Sequence, residues 1–168
     1  DPQRWPDPRG MVEKLAELGV RIMVSIWPTV SPYSEYFPEM QEKGYLVRAE
    51  QGLAGFHPMP DTDNPNRVPM YFYDPTHPEA GRYVWEKVKR SYLDQGIKVW
   101  WLDACEPEMR PNVHANLRYY LGNGEEVGCI YPFLHEKAFF EGMKAAGEEE
   151  VFLLCRSAWA GSQRFGAC

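Results

Sequence analysis

Two carboxylates and one arginine lie at the ends of apolar stretches, where a charged group needs solvent or a partner. Asp103 follows the apolar residues 99–102, and Glu106 comes three residues later. Two carboxylates this close can act as a coupled acid and base. Alternatively, Asp103 caps a following helix and Glu106 only orients its loop by accepting backbone N–H bonds. Arg156 ends another apolar stretch, so it could hold the Asp103 carboxylate ionised, bind substrate hydroxyl groups or form a structural salt bridge.

Two tryptophans and a further aspartate accompany this group. Side chains alternate along a strand, so Trp101 shares a face with the carboxylate two residues later. Trp27 also ends an apolar stretch, where it either walls a sugar subsite or packs above a core. Asp74 precedes Pro75 and a predicted helix, which favours helix N-capping.

Other common kinds of site lack their sequence signals. His114 and His135 could join Asp74 and Asp103 in a metal site, but no H-x-H or H-E-x-x-H spacing is present. Solvated or hydrogen-bonded histidines are therefore favoured, and we expect no metal. The sequence also lacks a G-x-S-x-G elbow, a G-x-G-x-x-G turn and a P-loop, and it suggests no cofactor.

Composition and charge exclude several classes of partner. The chain has 168 residues, 44% of them hydrophobic, and a formal net charge of −6. This acidic balance argues against nucleic acids and membrane surfaces, and no apolar run reaches the roughly 20 residues that span a bilayer. The 4 cysteines form no C-x-x-C pair. We expect buried free thiols, as in a reducing, cytoplasmic compartment; nothing in the sequence indicates an oligomeric state.

Helices and strands are predicted to alternate along the chain. Apolar residues at helical spacing predict helices over residues 8–18, 31–47, 80–96 and 132–147. Nearly continuous apolar runs predict strands, buried on both faces, over residues 20–28, 97–103 and 151–157. The segments 48–72 and 105–132 are predicted to be long loops.

This order predicts an α/β fold with a parallel sheet. Both a doubly wound sheet and a β/α barrel fit it. Trp27, Asp103 and Arg156 follow the three predicted strands, and barrel enzymes keep their active sites at the carboxyl ends of the strands.

Four ordered motifs resemble one family. WWLDACEPE at residues 100–108 is similar to the W-x-D-x-x-E-P signature of glycoside hydrolase family 31, the α-glucosidase and α-xylosidase family. Residues 5–28 resemble its helix and third barrel strand, and residues 71–88 resemble its D-x-T-N-P helix start. CRSAWAGSQRFG at residues 155–166 resembles its R-S-x-x-G-x-Q motif. Together the motifs span nearly the whole chain.

The resemblance implies a (β/α)₈ TIM barrel and a retaining mechanism on an oligosaccharide or glycoside substrate. By position in the motifs, Asp103 is the nucleophile, and Arg156 lies near it and the sugar hydroxyls. Trp27 and Trp101 face the subsite of the reacting sugar, whereas Glu106, like Asp74, has a supporting role. The WWLDACEPE motif favours an exo-acting α-xylosidase over an α-glucosidase.

The resemblance also implies that residues 1–168 are an internal fragment of the barrel, covering about strands three to five. The family's acid/base Asp follows the R-S-x-x-G-x-Q motif, so it would lie beyond residue 168. We therefore expect the isolated chain to be poorly stable and hydrolytically inactive. Two alternatives are a barrel hydrolase that holds a metal with Asp and His, and a non-catalytic carbohydrate-binding module; the ordered motifs favour the glycosidase.

Overall fold

The computed structural model describes residues 3–52, 56–61, 64–110 and 113–168. Its strands are β1 (Met23–Ile26), β2 (Thr29–Val30), β3 (Arg48–Ala49), β4 (Phe56–Asp61), β5 (Asn64–Phe72), β6 (Val99–Leu102), β7 (Leu117–Arg118) and β8 (Leu153–Cys155). Its α-helices are α1 (Pro8–Glu17), α2 (Phe37–Glu42), α3 (Ala80–Ser91), α4 (Gly124–Val127) and α5 (Tyr131–Ala145). Every helix in these ranges is too short or too polar to cross a bilayer.

The predicted alternation of helices and strands is confirmed. β6 pairs in parallel with β1 on one side and β8 on the other, which gives the order β1-β6-β8. Helix α1 begins as expected, with Pro8 in its first turn and the Asp7 side chain accepting a hydrogen bond from the Gly10 N–H at 2.9 Å. Gly19, just past its end, has a φ of +74°, a conformation that glycine adopts without steric cost. The predicted helix over residues 31–47 is shorter than expected.

The prediction that these strands are buried on both faces is wrong. Trp100 and Leu102 are fully buried, but Trp101 between them is 40% exposed. Helices α3 and α5 cover one face, where Trp100 meets Trp85 and Phe139 at ring-centroid distances of 6.0 and 5.9 Å. The other face is open in the described structure, so alternate side chains of each strand remain exposed.

The predicted loop over residues 48–72 is also wrong for most of its length. β4 and β5 form an antiparallel hairpin, and β2 pairs with the end of β5. Prolines obscured the strands because proline cannot donate to a β-ladder. Pro58 and Pro69 face each other in the register, and both strands accommodate them. Residues 53–55 and 62–63 of the predicted loop lie outside the described residues.

The predicted loop over residues 105–132 contains more regular secondary structure than expected. β7 pairs with β3 in an antiparallel sheet, and α4 follows directly. Residues 111–112 lie outside the described residues. The expectation that the thiols are buried holds for Cys105; Cys155 is partly buried, while Cys129 and Cys168 are exposed.

Asp74 does not cap helix α3, contrary to the sequence prediction. The N-cap position is Glu79, which makes no capping hydrogen bond with its side chain. The buried Asp74 carboxylate instead accepts hydrogen bonds from the backbone N–H and hydroxyl of Thr76 through Oδ1, at 2.9 and 2.7 Å. Its Oδ2 accepts from the backbone N–H of Tyr120 at 2.6 Å. Asp74 therefore joins the segment before α3 to the segment over residues 105–132, which follows β6.

Candidate active site

The three predicted strand-end residues meet at one edge of the parallel sheet. Ile26, Leu102 and Cys155 are neighbours in the register, and Trp27, Asp103 and Arg156 follow them directly. The Asp103 N–H donates to the Ile26 carbonyl at 3.0 Å, which extends the ladder by one step. The site is therefore built from the carboxyl ends of three parallel strands.

Trp101 lies on the same face of β6 as Asp103. The alternation along the strand leaves Trp101 exposed while Trp100 and Leu102 are buried under the helices. The structure thus brings Trp101 and Asp103 together on the open face of the sheet, as the two-residue period of a strand requires.

Arg156 is surrounded by carboxylates. Its Nε and Nη2 donate to the two oxygens of Glu106 at 2.7 and 3.0 Å, which is a bidentate ion pair. Its Nη2 lies 3.4 Å from Glu108 Oε1, and its Nε lies 3.7 Å from Asp103 Oδ1. Arg156 therefore forms the salt bridge considered from the sequence, with Glu106 as its hydrogen-bonded partner, and places its charge beside Asp103.

This ion pair fixes the charge of Glu106. The hydrogen bonds from Arg156 hold the pKa of the Glu106 carboxyl below its ordinary value, although partial burial opposes the shift. The same bonds raise the pKa of the Arg156 guanidinium. Glu106 therefore stays ionised and is poorly suited to donate a proton.

Asp103 keeps one oxygen without a hydrogen bond. Its side chain is only 14% exposed, and Oδ1 is buried without a hydrogen-bond partner among the described residues. No helix begins in residues 104–110, so Asp103 is not a helix cap. The chain turns sharply at Ala104, whose φ of +58° is unusual for a residue with a side chain. Asp103 thus places a largely buried carboxylate, with one oxygen free of hydrogen bonds, beside the Arg156 guanidinium.

Sequence analysis missed two residues beside the site. The His57 ring, on hairpin strand β4, lies against the Trp27 ring with centroids 5.8 Å apart. His57 Nδ1 is 3.1 Å from the carbonyl oxygen of Glu108, whose carboxylate faces Arg156. Neither residue follows an apolar run, so no spacing signal marked them.

The two histidines considered as metal ligands make no hydrogen bond or ion pair with Asp103, Glu106 or Arg156 in the described structure. His135 is buried on α5, with Nδ1 2.6 Å from the Tyr73 hydroxyl, and burial lowers its pKa to about 3. His114 begins a short 3₁₀ turn and is exposed. In the described ranges, no three His, Cys, Asp or Glu side chains gather as a metal-ligand set.

A family model matches the whole chain. The model of the glycosyl hydrolases family 31 TIM-barrel domain matches residues 1–168. This chain belongs to glycoside hydrolase family 31. The family resemblance of the four sequence motifs is thereby confirmed, and so is the α/β fold class.

Individual family 31 proteins agree with this assignment. A family 31 glucosidase of Pseudescherichia vulneris, described as uncharacterized, is 46% identical over 99% of this chain and 30% of its own length. An alpha-xylosidase of Saccharolobus solfataricus is 33% identical over 99% of this chain and 21% of its own length. The crystal structure of a family 31 alpha-xylosidase from a soil metagenome, complexed with xylose, has a TM-score of 0.90. It is 48% identical and is covered over 24% of its chain, so this chain spans less than a third of each of these relatives.

Proposed function

We propose that this chain supplies the nucleophile strand of a retaining, exo-acting α-glycosidase. The observation that carries the proposal is Asp103, which ends the middle parallel strand with an unbonded carboxylate oxygen beside Arg156. An ionised carboxylate in this setting can attack an anomeric carbon and form a glycosyl–enzyme ester. The Arg156 guanidinium, whose Nε lies 3.7 Å from Asp103 Oδ1, places a positive charge beside this carboxylate.

The reaction also needs a proton donor about 5–5.5 Å from the nucleophile. The donor protonates the glycosidic oxygen as the bond to the anomeric carbon breaks, and then removes a proton from the water that hydrolyses the ester. Glu106 is the nearest carboxylate in sequence, but Arg156 keeps it ionised. We therefore assign Glu106 to holding Arg156 and propose that the donor comes from outside residues 1–168.

The exposed side chains on the open face of the sheet support the proposal that the chain is part of a barrel. The open face of the sheet carries Met23, Trp101 and Phe152, which are 40%, 40% and 47% exposed. In a closed barrel, further strands would pair with the edges and bury such side chains. We propose that β1, β6 and β8 are about strands three to five of a (β/α)₈ barrel, and that residues 1–168 alone are poorly stable and inactive.

An α-xyloside is the substrate we favour over an α-glucoside. Two of the relatives compared above carry the name alpha-xylosidase, and one of them is complexed with xylose. Trp27 and Trp101 would present aromatic faces to the apolar C–H face of the reacting sugar, while Arg156 would bind its hydroxyl groups.

Trapping the covalent intermediate tests the nucleophile. The complete protein is incubated with 5-fluoro-α-xylosyl fluoride or, separately, 5-fluoro-α-glucosyl fluoride, and labelled peptides are mapped by mass spectrometry. We expect one label per chain on Asp103, with faster labelling by the xylosyl reagent. The matched control Asp94→Asn, which alters an exposed carboxylate paired with Lys89, should label normally. Turnover of aryl α-glycosides without a label on Asp103 would remove it from this role.

A further inference from the structure

The β4–β5 hairpin is attached to the segment that follows the candidate nucleophile. The Arg110 N–H donates to the Phe56 carbonyl at 2.7 Å, and the Phe56 N–H donates to the Arg110 carbonyl at 3.3 Å. These reciprocal bonds form an antiparallel bridge between the base of β4 and the end of the loop over residues 103–110. The hairpin therefore packs beside the site instead of extending freely into solvent.

The two sides of β4 have different neighbours. Phe56 packs toward Tyr71, which in turn contacts Phe37 on α2. His57 points to the opposite side, because successive residues of a strand alternate. There it meets the Trp27 ring at a 67° interplanar angle and the Glu108 carbonyl at 3.1 Å. Phe56 thus packs within the hairpin on one side of the strand, and His57 contacts Trp27 and Glu108 on the other.

The chemistry of the carbonyl group defines the state of the His57 ring. A carbonyl oxygen can only accept a hydrogen bond, so Nδ1 must carry the proton. The ring is then fixed at two points, by a hydrogen bond through Nδ1 and by an aromatic contact with Trp27. Fixing a ring in this way restricts the rotamers of both aromatic side chains.

The contacts of His57 continue to the reacting centre. Glu108, whose carbonyl accepts from His57, directs its carboxylate to Arg156 at 3.4 Å. Arg156 lies beside Asp103 at 3.7 Å. His57 consequently links Trp27, at the end of β1, to the charged cluster at the ends of β6 and β8.

We propose that His57 is a positioning residue of the active site. It holds the Trp27 ring at the orientation of a sugar-binding wall and anchors the 103–110 loop, so that Glu106 and Glu108 keep Arg156 beside Asp103. This inference rests on the proposed glycosidase function. The His57 side of β4 then supports the active site, although His57 itself does not need to react.

Three substitutions separate the two contacts of His57. His57→Ala removes both, His57→Asn keeps a donor near the Nδ1 position, and His57→Phe keeps a ring against Trp27. The matched control is Phe56→Leu, which alters the other side of the same strand and leaves the backbone bridge to Arg110 intact. All variants are made in the complete protein and compared for kcat and KM on the aryl α-glycoside that the parent protein hydrolyses best.

We expect His57→Ala to lower kcat/KM by about tenfold to a hundredfold, since small displacements of positioning groups are costly in the transition state. The loss should appear in kcat as well as KM because Arg156 and Asp103 act on the reacting carbon. His57→Asn and His57→Phe should each recover part of the loss, and Phe56→Leu should stay within about twofold of the parent. Unchanged kinetics for His57→Ala, or equal losses for His57→Ala and Phe56→Leu, would overturn the proposal.

Hydrogen exchange gives a readout that does not depend on turnover. Peptides that cover residues 103–110 should exchange faster in His57→Ala than in Phe56→Leu, because only His57→Ala removes the side-chain hydrogen bond to the Glu108 carbonyl. Equal protection in the two variants would contradict the positioning role. Failure of the fluoroglycoside to label Asp103 would instead count against the proposed function, so the two failures are distinguishable.

Discussion

The two faces of the parallel sheet have the same strands but different surroundings. On the helix-covered face, Trp100, Leu102 and Leu153 are fully buried, and the Trp100 indole N–H donates to the Met143 sulfur at 3.3 Å. On the open face, Trp101 is exposed and Asp103 keeps an unbonded oxygen. The neighbours Trp100 and Trp101 therefore belong to different environments, although one peptide bond joins them.

This difference shows how short strands can serve two purposes. The two-residue period directs one set of side chains to a packed core and the other to a site with charges that need solvent or ligand. Substitutions on the covered face should change the free energy of unfolding, and those on the open face should change the rate of the reaction. The predictions below test this separation.

The largest effect is expected at Asp103. Asp103→Asn should lower kcat/KM of the complete protein by about 10³-fold or more, because an amide cannot form the glycosyl ester. The free energy of unfolding should change by less than about 1 kcal/mol, since Oδ1 makes no hydrogen bond that the amide would break. Steady-state kinetics and urea unfolding measure the two quantities. A large loss of stability with retained activity would contradict the proposal that the open face serves the reaction and not the folding of the chain.

The adjacent tryptophans give a matched comparison. Trp100→Ala should lower the free energy of unfolding by about 3–5 kcal/mol, because it leaves a cavity among Trp85, Phe139 and Met143. Trp101→Ala should cost about 1 kcal/mol or less and lower kcat/KM roughly tenfold through loss of the proposed aromatic wall. Equal destabilisation by the two substitutions would show that the faces do not differ.

Close helix packing supports the covered face. A Cβ added at Gly142 on α5 would overlap the indole ring of Trp85 on α3. We expect Gly142→Ala to cost about 1–3 kcal/mol in urea unfolding without changing kcat. The control Gly128→Ala places its Cβ 3.9 Å from the Tyr119 hydroxyl, an ordinary contact, and should be nearly neutral. A neutral Gly142→Ala would mean that α3 and α5 can move apart freely.

The last expected effect concerns pH. Burial lowers the pKa of His135 to about 3, so the folded protein binds fewer protons at this site than the unfolded chain, whose histidine titrates near 6.5. The stability present above pH 6.5 is then lost as the pH falls toward 3, by up to about 1.4 kcal/mol per pH unit.

The variant Tyr73→Phe/His135→Phe isolates this contribution. It replaces both members of the buried hydrogen bond, which leaves no unpaired donor or acceptor between them. Urea unfolding at several pH values should show a weaker loss of stability below pH 6.5 in the variant than in the parent. Because Glu136 has a pKa raised by burial and contributes the opposite trend in both proteins, the difference between them is the informative quantity. Identical pH profiles would contradict a neutral buried His135.

The helices and strands that the sequence predicts correctly are those marked by a pattern within their own residues. Helical spacing identified α1, α3 and α5, and apolar runs identified the parallel strands. The strand period also placed Trp101 with Asp103. Burial on both faces could not be judged, because an apolar run does not reveal which of its faces a helix will cover.

The missed features depend on contacts between distant segments. The sequence predicts a loop in place of the hairpin because prolines at 58 and 69 weaken the strand pattern, although they face each other in the register. It predicts a helix cap at Asp74 because the partner Tyr120 is far along the chain. His57 was missed for the same reason, since its contacts with Trp27 and Glu108 arise only when the hairpin docks.

The row of strand-end side chains also has a consequence for folding kinetics. Each parallel pairing joins strands that are separated by a crossover containing a helix, so the pairing forms only after that long segment has closed. Loop-closure entropy opposes both closures before any contact at the carboxyl edge exists. We therefore expect Trp27, Asp103 and Arg156 to meet late in folding, after the helices have formed.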